Sequence, residues 1–316
     1  MKERCISSFT SNALLEWLLD GDVSIQYQVQ NDLLDHDSPA LRKRISSEGW
    51  GQKFLSFRKP EGHWGDRFYQ PKWISTHYTI LDLKNLAIAP DNAEIRASIQ
   101  NVLETLRAPD GGILPIGSDR KSDVCVNGMF LNYAAYFGIE EAPLRPIIDF
   151  LLVELMGDGG FNCRSNTSGA SHSSVHSTIS VLEGIHEYAV AGYVYRLDEL
   201  QHAATRAREF LLLHKLFRSH RTGEIMHKSM LNLSYPSRWK YDILRALDYF
   251  RHAKIEYDPR LEDALDVLMK KRRKDGRWPV QAKHPGQVHF DMEKGGGPSR
   301  WNTLRALRVL KHFKLM

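Results

Sequence analysis

Three cations each stand directly before a tryptophan: Lys72 before Trp73, Arg238 before Trp239, and Arg300 before Trp301. Arg164 closes the stretch Gly159-Gly160-Phe161-Asn162-Cys163-Arg164. A guanidinium captures carboxylate or phosphate through two parallel hydrogen bonds. An indole face accepts a polyisoprene chain, a sugar ring or a carbocation, and a cation over it is worth about 0.5–2 kcal/mol. The same residues also suit a scaffold, as ion pairs between neighbouring elements and as large buried rings. His77 and His176 are candidate bases or anion ligands, because imidazole titrates near neutrality; a hydrogen-bonded structural histidine is the plain alternative. Asp242 is expected one turn into the helix after Trp239, where facing a partly apolar cavity would raise its pKa and make it an acid. Asp291 and Glu293 occupy a long polar segment, and loops over rigid scaffolds often carry catalytic groups. A solvated loop or an ion pair with Arg300 is their structural reading.

Other chemistry finds less support. His172 and His176 have helical i, i+4 spacing, but no third ligand follows them, so no zinc site is assigned. Gly295-Gly296-Gly297 lacks the Lys-Ser/Thr sequel of a phosphate-binding loop. No Ser-His-Asp order or nucleophile elbow is present.

The elements that must position these groups come from a repeat. Pro236-Ser237-Arg238-Trp239 recurs as Pro298-Ser299-Arg300-Trp301, with Pro71-Lys72-Trp73 as a shorter echo. Both full copies lead into Leu-Arg-Ala-Leu, at 244–247 and 304–307. A second marker is a glycine turn at Gly62, Gly111, Gly159, Gly223 and Gly276, in steps of 49, 48, 64 and 53 residues. Glycine suits the left-handed residue just past a helix end. An amphipathic helix is expected before each turn, as in Ile95, Ile99, Val102, Leu103 and Leu106. A more apolar one should follow a polar loop: 74–86, 124–137, 175–188, 241–250 and 303–313. β-branched alternation is nearly absent, which predicts an all-α chain. Helices at 12–19 and 24–34 precede the first turn.

At 316 residues, 42% hydrophobic and 26% charged, the chain can bury a sizeable core. No Pro/Ser-rich linker interrupts it. One domain over 1–316 is expected, with N-terminal helices to residue 60 and repeated hairpins over 61–316. The formal charge of +5 brings no nucleic-acid motif with it, and the basic run 270–274 fits a helix C-terminus. No apolar run is long enough for a membrane span, and 1–8 lacks a signal-like apolar segment. Three scattered cysteines do not make a disulfide framework, so a reducing cytoplasm is the expected compartment.

These repeats resemble the α/α-toroid superfamily of squalene and terpene cyclases and protein prenyltransferases. Residues 158–166 look like the Gly-Gly-Phe-x-x-Arg-x-Asn loop of prenyltransferase β subunits, and Leu182-Glu183-Gly184-Ile185 like the end of their inner helices. The resemblance implies a closed double ring of hairpins, about five repeats plus the N-terminal helices, around a central cavity. It implies that Arg164 meets a prenyl diphosphate. Two departures stand out. Asp123-Val124-Cys125-Val126 keeps only the first carboxylate of the Asp-x-Asp-Asp acid of class II cyclases. Asp123 and Cys125 have the Asp-x-Cys spacing of the prenyltransferase zinc ligands, but Asn302 stands where a histidine is wanted. No metal is therefore assigned, zinc and magnesium being the ions the superfamily would suggest. Protein prenyltransferases work with a helical second chain, so a partner subunit stays open here.

The leading functional expectation is a prenyltransferase- or cyclase-like protein handling an isoprenoid or its diphosphate. The alternatives are a carbohydrate-active toroid, lyase-like, acting on an acidic polysaccharide, and a non-catalytic repeat scaffold.

Overall fold

A computed structural model describes residues 11–116, 121–164 and 168–316. Helix starts follow from short polar side chains that accept a hydrogen bond from a backbone N–H of the first turn. Ser11 caps α1 (Asn12–Leu19), and Asp22 caps α2 (Val23–Gln28), which runs on into a π-helical turn, Val29–Leu33. α3 (Pro39–Arg44) and α4 (Gly49–Ser56) come next, then α5 (Thr76–Asn85). Asn92 caps α6 (Ala93–Thr105) and Asp123 caps α7 (Val124–Tyr136). α8 (Arg145–Val153), α9 (Val175–Val190) and α10 (Leu197–Leu213) lead to α11 (Ile243–His252), capped by Asp242. α12 (Glu262–Lys270) and α13 (Arg300–His312) complete the chain.

Among the described residues these make six outer–inner hairpins. The inner helices α2, α5, α7, α9, α11 and α13 face the centre; α1, α4, α6, α8, α10 and α12 form the outer layer. Burial supports this division: residues 124–135 of α7 are all buried, as befits a helix apolar on every side. α6 buries only Ile95, Ser98, Ile99, Val102 and Leu103, the stripe expected of an outer helix.

The turn joining outer to inner helix is the same device used repeatedly. Its glycines have φ of 90° (Gly62), 91° (Gly111), 97° (Gly159), 73° (Gly223) and 81° (Gly276). The residue after the turn is then pinned to the inner helix. The N–H groups of Trp64, Ile113, Phe161 and Trp278 donate to Thr76, Asn127, Thr178 and Thr303 at 2.7–3.0 Å. Trp64 and Trp278 are wholly buried, and their indole N–H groups bond Phe54 and Leu268 carbonyls. Among the described residues the strand content is one antiparallel pair, β1 (Trp278–Pro279) with β2 (Pro298–Ser299).

The first hairpin meets the last. Arg308 of α13 pairs with Asp32 at 2.9 Å and Gln28 at 3.1 Å. Lys311 donates to the Asp32 and Leu33 carbonyls, each at 3.0 Å. Arg277 and Arg300 lie over the Trp17 ring at 4.1 and 4.7 Å. The N-terminal helices thus supply the sixth hairpin and close the ring. No helix among the described residues is long and apolar enough to cross a membrane.

Candidate functional site

A cavity of about 330 Å³ lies inside the ring, walled by all six inner helices. Its exposed rim residues, Asn31, Asn85 and His252, stand at the C-terminal ends of the α2 turn, α5 and α11, so it opens on the face of short connections. The opposite end is sealed by the long loops. There Trp73 donates from Nε1 to the Pro285 carbonyl at 2.7 Å, and His289 bonds Thr79 at 3.0 Å. The floor is Trp301, stacked between Tyr235 (4.7 Å between centroids) and Trp50 (6.0 Å).

The walls are charged. Seven basic side chains and four carboxylates line the cavity. Arg305 and Arg308 converge on Asp248 together with Arg251. Burial alone would raise the Asp248 pKa, but Arg308, Arg251 and Arg305 hold it well below the carboxylate range. Arg245 forks onto Glu183 at 2.9 and 2.6 Å, and Lys84 pairs with Glu187 at 2.9 Å. Arg238 pairs with Asp82 beneath the floor, and burial, opposed by Arg238, pushes the Asp82 carboxyl up to about 6. Two cations are poorly balanced. Among the described residues Arg42 has only neutral hydrogen-bond partners, the Ala87 carbonyl at 3.2 Å and the Tyr136 hydroxyl at 2.7 Å. Arg251 shares Asp248 with two other arginines, and burial and then Arg308 lower its pKa. Among the described residues, two buried polar atoms of cavity-lining residues have no partner, Asn132 Oδ1 and Trp301 Nε1.

The sequence candidates fall into three groups. Arg238 and Trp301 line the cavity. A second set gathers on the sealed loop face. Half-buried Trp239 has Lys72 at 5.9 Å, Lys240 at 4.5 Å and His176 edge-on at 5.4 Å. His176 accepts at Nδ1 from the Tyr241 N–H, which puts its proton on Nε2; burial, then Arg245 and Lys240, depress its pKa to about 4. Trp73 lies 5.5 Å from the Arg238 guanidinium.

The third group is bound up in the scaffold. Asp242 accepts the Arg245 N–H as the α11 cap, and burial raises its pKa. Glu293 accepts from Ser299 Oγ at 2.5 Å and the Arg300 N–H at 2.6 Å, fixing the start of α13. Arg300 faces outward to the Trp17 carbonyl and Asp20. His77 is fully buried against Tyr133, and desolvation lowers its pKa to about 3. Asp291 is exposed and pairs with Lys283 at 2.7 Å. Arg164 is exposed on its loop, away from the cavity wall, and residues 165–166 of its motif lie outside the described residues. The convergence expected of Arg164, Arg238, Arg300 and Lys72 on one cavity therefore does not occur: only Arg238 reaches it.

Arg42, Arg245, Arg251, Arg305, Arg308, Asp248 and Asn132 were not singled out by sequence. The usable signal was the arginine inside each Leu-Arg-Ala-Leu: Arg245 and Arg305 are both 5% exposed and both line the cavity. A cation amid an apolar inner helix has few places to go except the axis of the ring.

A ring of six helical hairpins around a central cavity is an α/α toroid. No protein-family model matches the chain, and no curated sequence is significantly similar. Solved structures do match. A polysaccharide lyase aligns over 96% of this chain and 90% of its own, at 13% identity and a TM-score of 0.50. A family 88 glycosyl hydrolase from Bacteroides vulgatus aligns over 92% and 89%, at 12% identity and a TM-score of 0.49. The type II terpene cyclase MstE from Scytonema, in complex with merosterolic acid A, aligns over 90% and 98%, at 12% identity and a TM-score of 0.34. Likeness at such identity concerns the fold alone.

Proposed function

We propose that the protein binds a small anionic, hydroxyl-bearing ligand, an acidic sugar, in the central cavity. The single supporting observation is the charge of the wall, seven basic groups against four carboxylates. Even with Asp82 neutralising Arg238, a positive surplus remains in a site largely removed from water, where an anion is strongly favoured. A carboxylate suits Arg42 and Arg251, and hydroxyl groups suit Asn132 Oδ1 and Trp301 Nε1, whose burial without partners costs about 1–3 kcal/mol each. Tyr27 and Tyr136 offer aromatic surface for a pyranose. The volume admits a small molecule rather than a folded-in polymer, so a polysaccharide would enter by one end only. A hydrocarbon tail would have to displace solvation from these charges without repaying it. This favours the carbohydrate reading over the isoprenoid one.

The test is thermal shift and calorimetry with galacturonate, glucuronate and short uronate oligosaccharides, beside neutral sugars and farnesyl diphosphate. Uronates should raise the melting temperature, as about 2.7 kcal/mol of stabilisation follows at a hundred times Kd. Arg251→Gln and Arg42→Gln should fold and lose that shift. Stabilisation by farnesyl diphosphate alone would reverse the reading. Ultraviolet absorbance from an unsaturated uronate product would add a lyase step to the binding.

A further inference from the structure

On the sealed loop face, away from the cavity, two cysteines from neighbouring hairpins come together. Cys125 lies in the first turn of α7, and Cys163 lies on the loop between the Gly159 turn and α9. Their sulfurs and an Asp123 carboxylate oxygen all lie within 4.8 Å of one another. The Cys125 N–H donates to Cys163 Sγ at 3.3 Å, and Ser177 Oγ lies 3.0 Å from the same sulfur. Cys163 is partly exposed; Cys125 is buried.

We propose that Cys163 is a peroxide-reactive thiol and Cys125 its resolving partner, so that the pair forms a reversible disulfide. The geometry assigns the order of attack. A hydroperoxide reaches the partly exposed sulfur first, the one that accepts the Cys125 N–H. Cys163 sulfur attacks one peroxide oxygen: an S–O bond forms, the O–O bond breaks, and the second oxygen leaves as water with the thiol proton. Cys125 sulfur then attacks the sulfenic sulfur: the S–S bond forms, the S–O bond breaks, and a second water leaves with the Cys125 proton. Hydrogen peroxide is reduced by two electrons and the two thiols are oxidised together. The sulfurs must approach to about 2.05 Å, which falls to side-chain rotation, since the Cys163 N–H is held by Ser177 Oγ at 3.1 Å. An external dithiol reverses the bond by exchange.

The same cluster invites comparison with a soft-metal site, but among the described residues it is one donor short of a closed structural zinc set. Asp123 caps α7 by accepting the Val126 N–H at 3.1 Å, Cys163 sulfur holds the Cys125 N–H, and among the described residues no fourth histidine, cysteine or carboxylate joins them. Structural zinc takes four ligands.

The experiment uses the full chain with Cys5→Ser, leaving two cysteines. One equivalent of hydrogen peroxide should take the titratable thiols from two to none. The intact mass should fall by two hydrogens, a peptide cross-link should join Cys125 to Cys163, and dithiothreitol should reverse all three. Added Cys125→Ser should instead trap an oxygen adduct on Cys163, whereas added Cys163→Ser should leave Cys125 unmodified at the same dose. A mass gain of oxygen with both cysteines present, or cross-links only between chains, overturns the proposal. Thiols that react only after chelator treatment also overturn it, and assign the cluster to a bound metal ion.

Discussion

Asp248 accepts from three guanidinium groups, Arg251 at 3.0 Å, Arg305 at 3.3 Å and the closer Arg308, inside a wall that is otherwise short of carboxylates. A buried charge left without its counter-charge is far more costly than the pair is stabilising. Asp248→Asn should therefore lower the unfolding free energy by about 3–5 kcal/mol in urea titration. A loss under about 1 kcal/mol would mean that water screens the network. Arg251→Gln removes a cation from the crowded side, so its effect on stability should be much smaller while its effect on ligand binding is large. That contrast separates the charges that hold the ring from those that await a guest.

At the scale of elements, α7 and α9 approach so closely that only glycine fits. A Cβ on Gly184 would lie 2.4 Å from the Gly128 carbonyl oxygen, and one on Gly128 would lie 2.8 Å from the Ser180 carbonyl. Gly184→Ala must push two backbones apart, and overpacking of this kind costs about 1–3 kcal/mol. Chemical denaturation should show that loss with little change in helical circular dichroism. The helices themselves were largely legible: expected spans at 74–86, 124–137 and 175–188 became α5, α7 and α9. So were the turns, because all five repeat turns place glycine at a φ of 73–97°, a region a Cβ disfavours. Equivalence within the tetrapeptide was not legible. Ser299 caps α13, which puts Trp301 inside its helix, whereas Arg238 and Trp239 precede a helix that Asp242 caps further on. Identical letters therefore point one indole at the cavity and the other at the loop face. Capping and loop length decide this, and neither is carried by the four letters. Glu293 was likewise read as a catalytic candidate, yet it holds the first turn of α13 through contacts set by the fold of the preceding loop.

For the molecule as a whole, acid should be destabilising. Burial holds His77 near 3 and His176, His284 and His289 near 4, and lowers His186, His214 and His252 as well. In the unfolded chain these groups titrate near 6.5, so below that pH the unfolded state binds more protons and gains on the folded one. Asp82, Asp242 and Glu293, whose burial raises their pKa, act in the opposite sense, but they are three against seven. Melting temperature should hold above pH 6.5 and fall steadily toward pH 4. A flat or rising profile would contradict the buried, neutral state of these imidazoles.

Because Arg308 and Lys311 reach back to residues 28–35, every hairpin is braced on two flanks. An open solenoid has terminal units that can fray while the middle survives. A hoop has no such ends: loosening any one stave releases tension-free neighbours on both sides at once. The chain should then behave as a single cooperative body, and trimming the first two helices would wound the last one as directly as a cut in α13 itself.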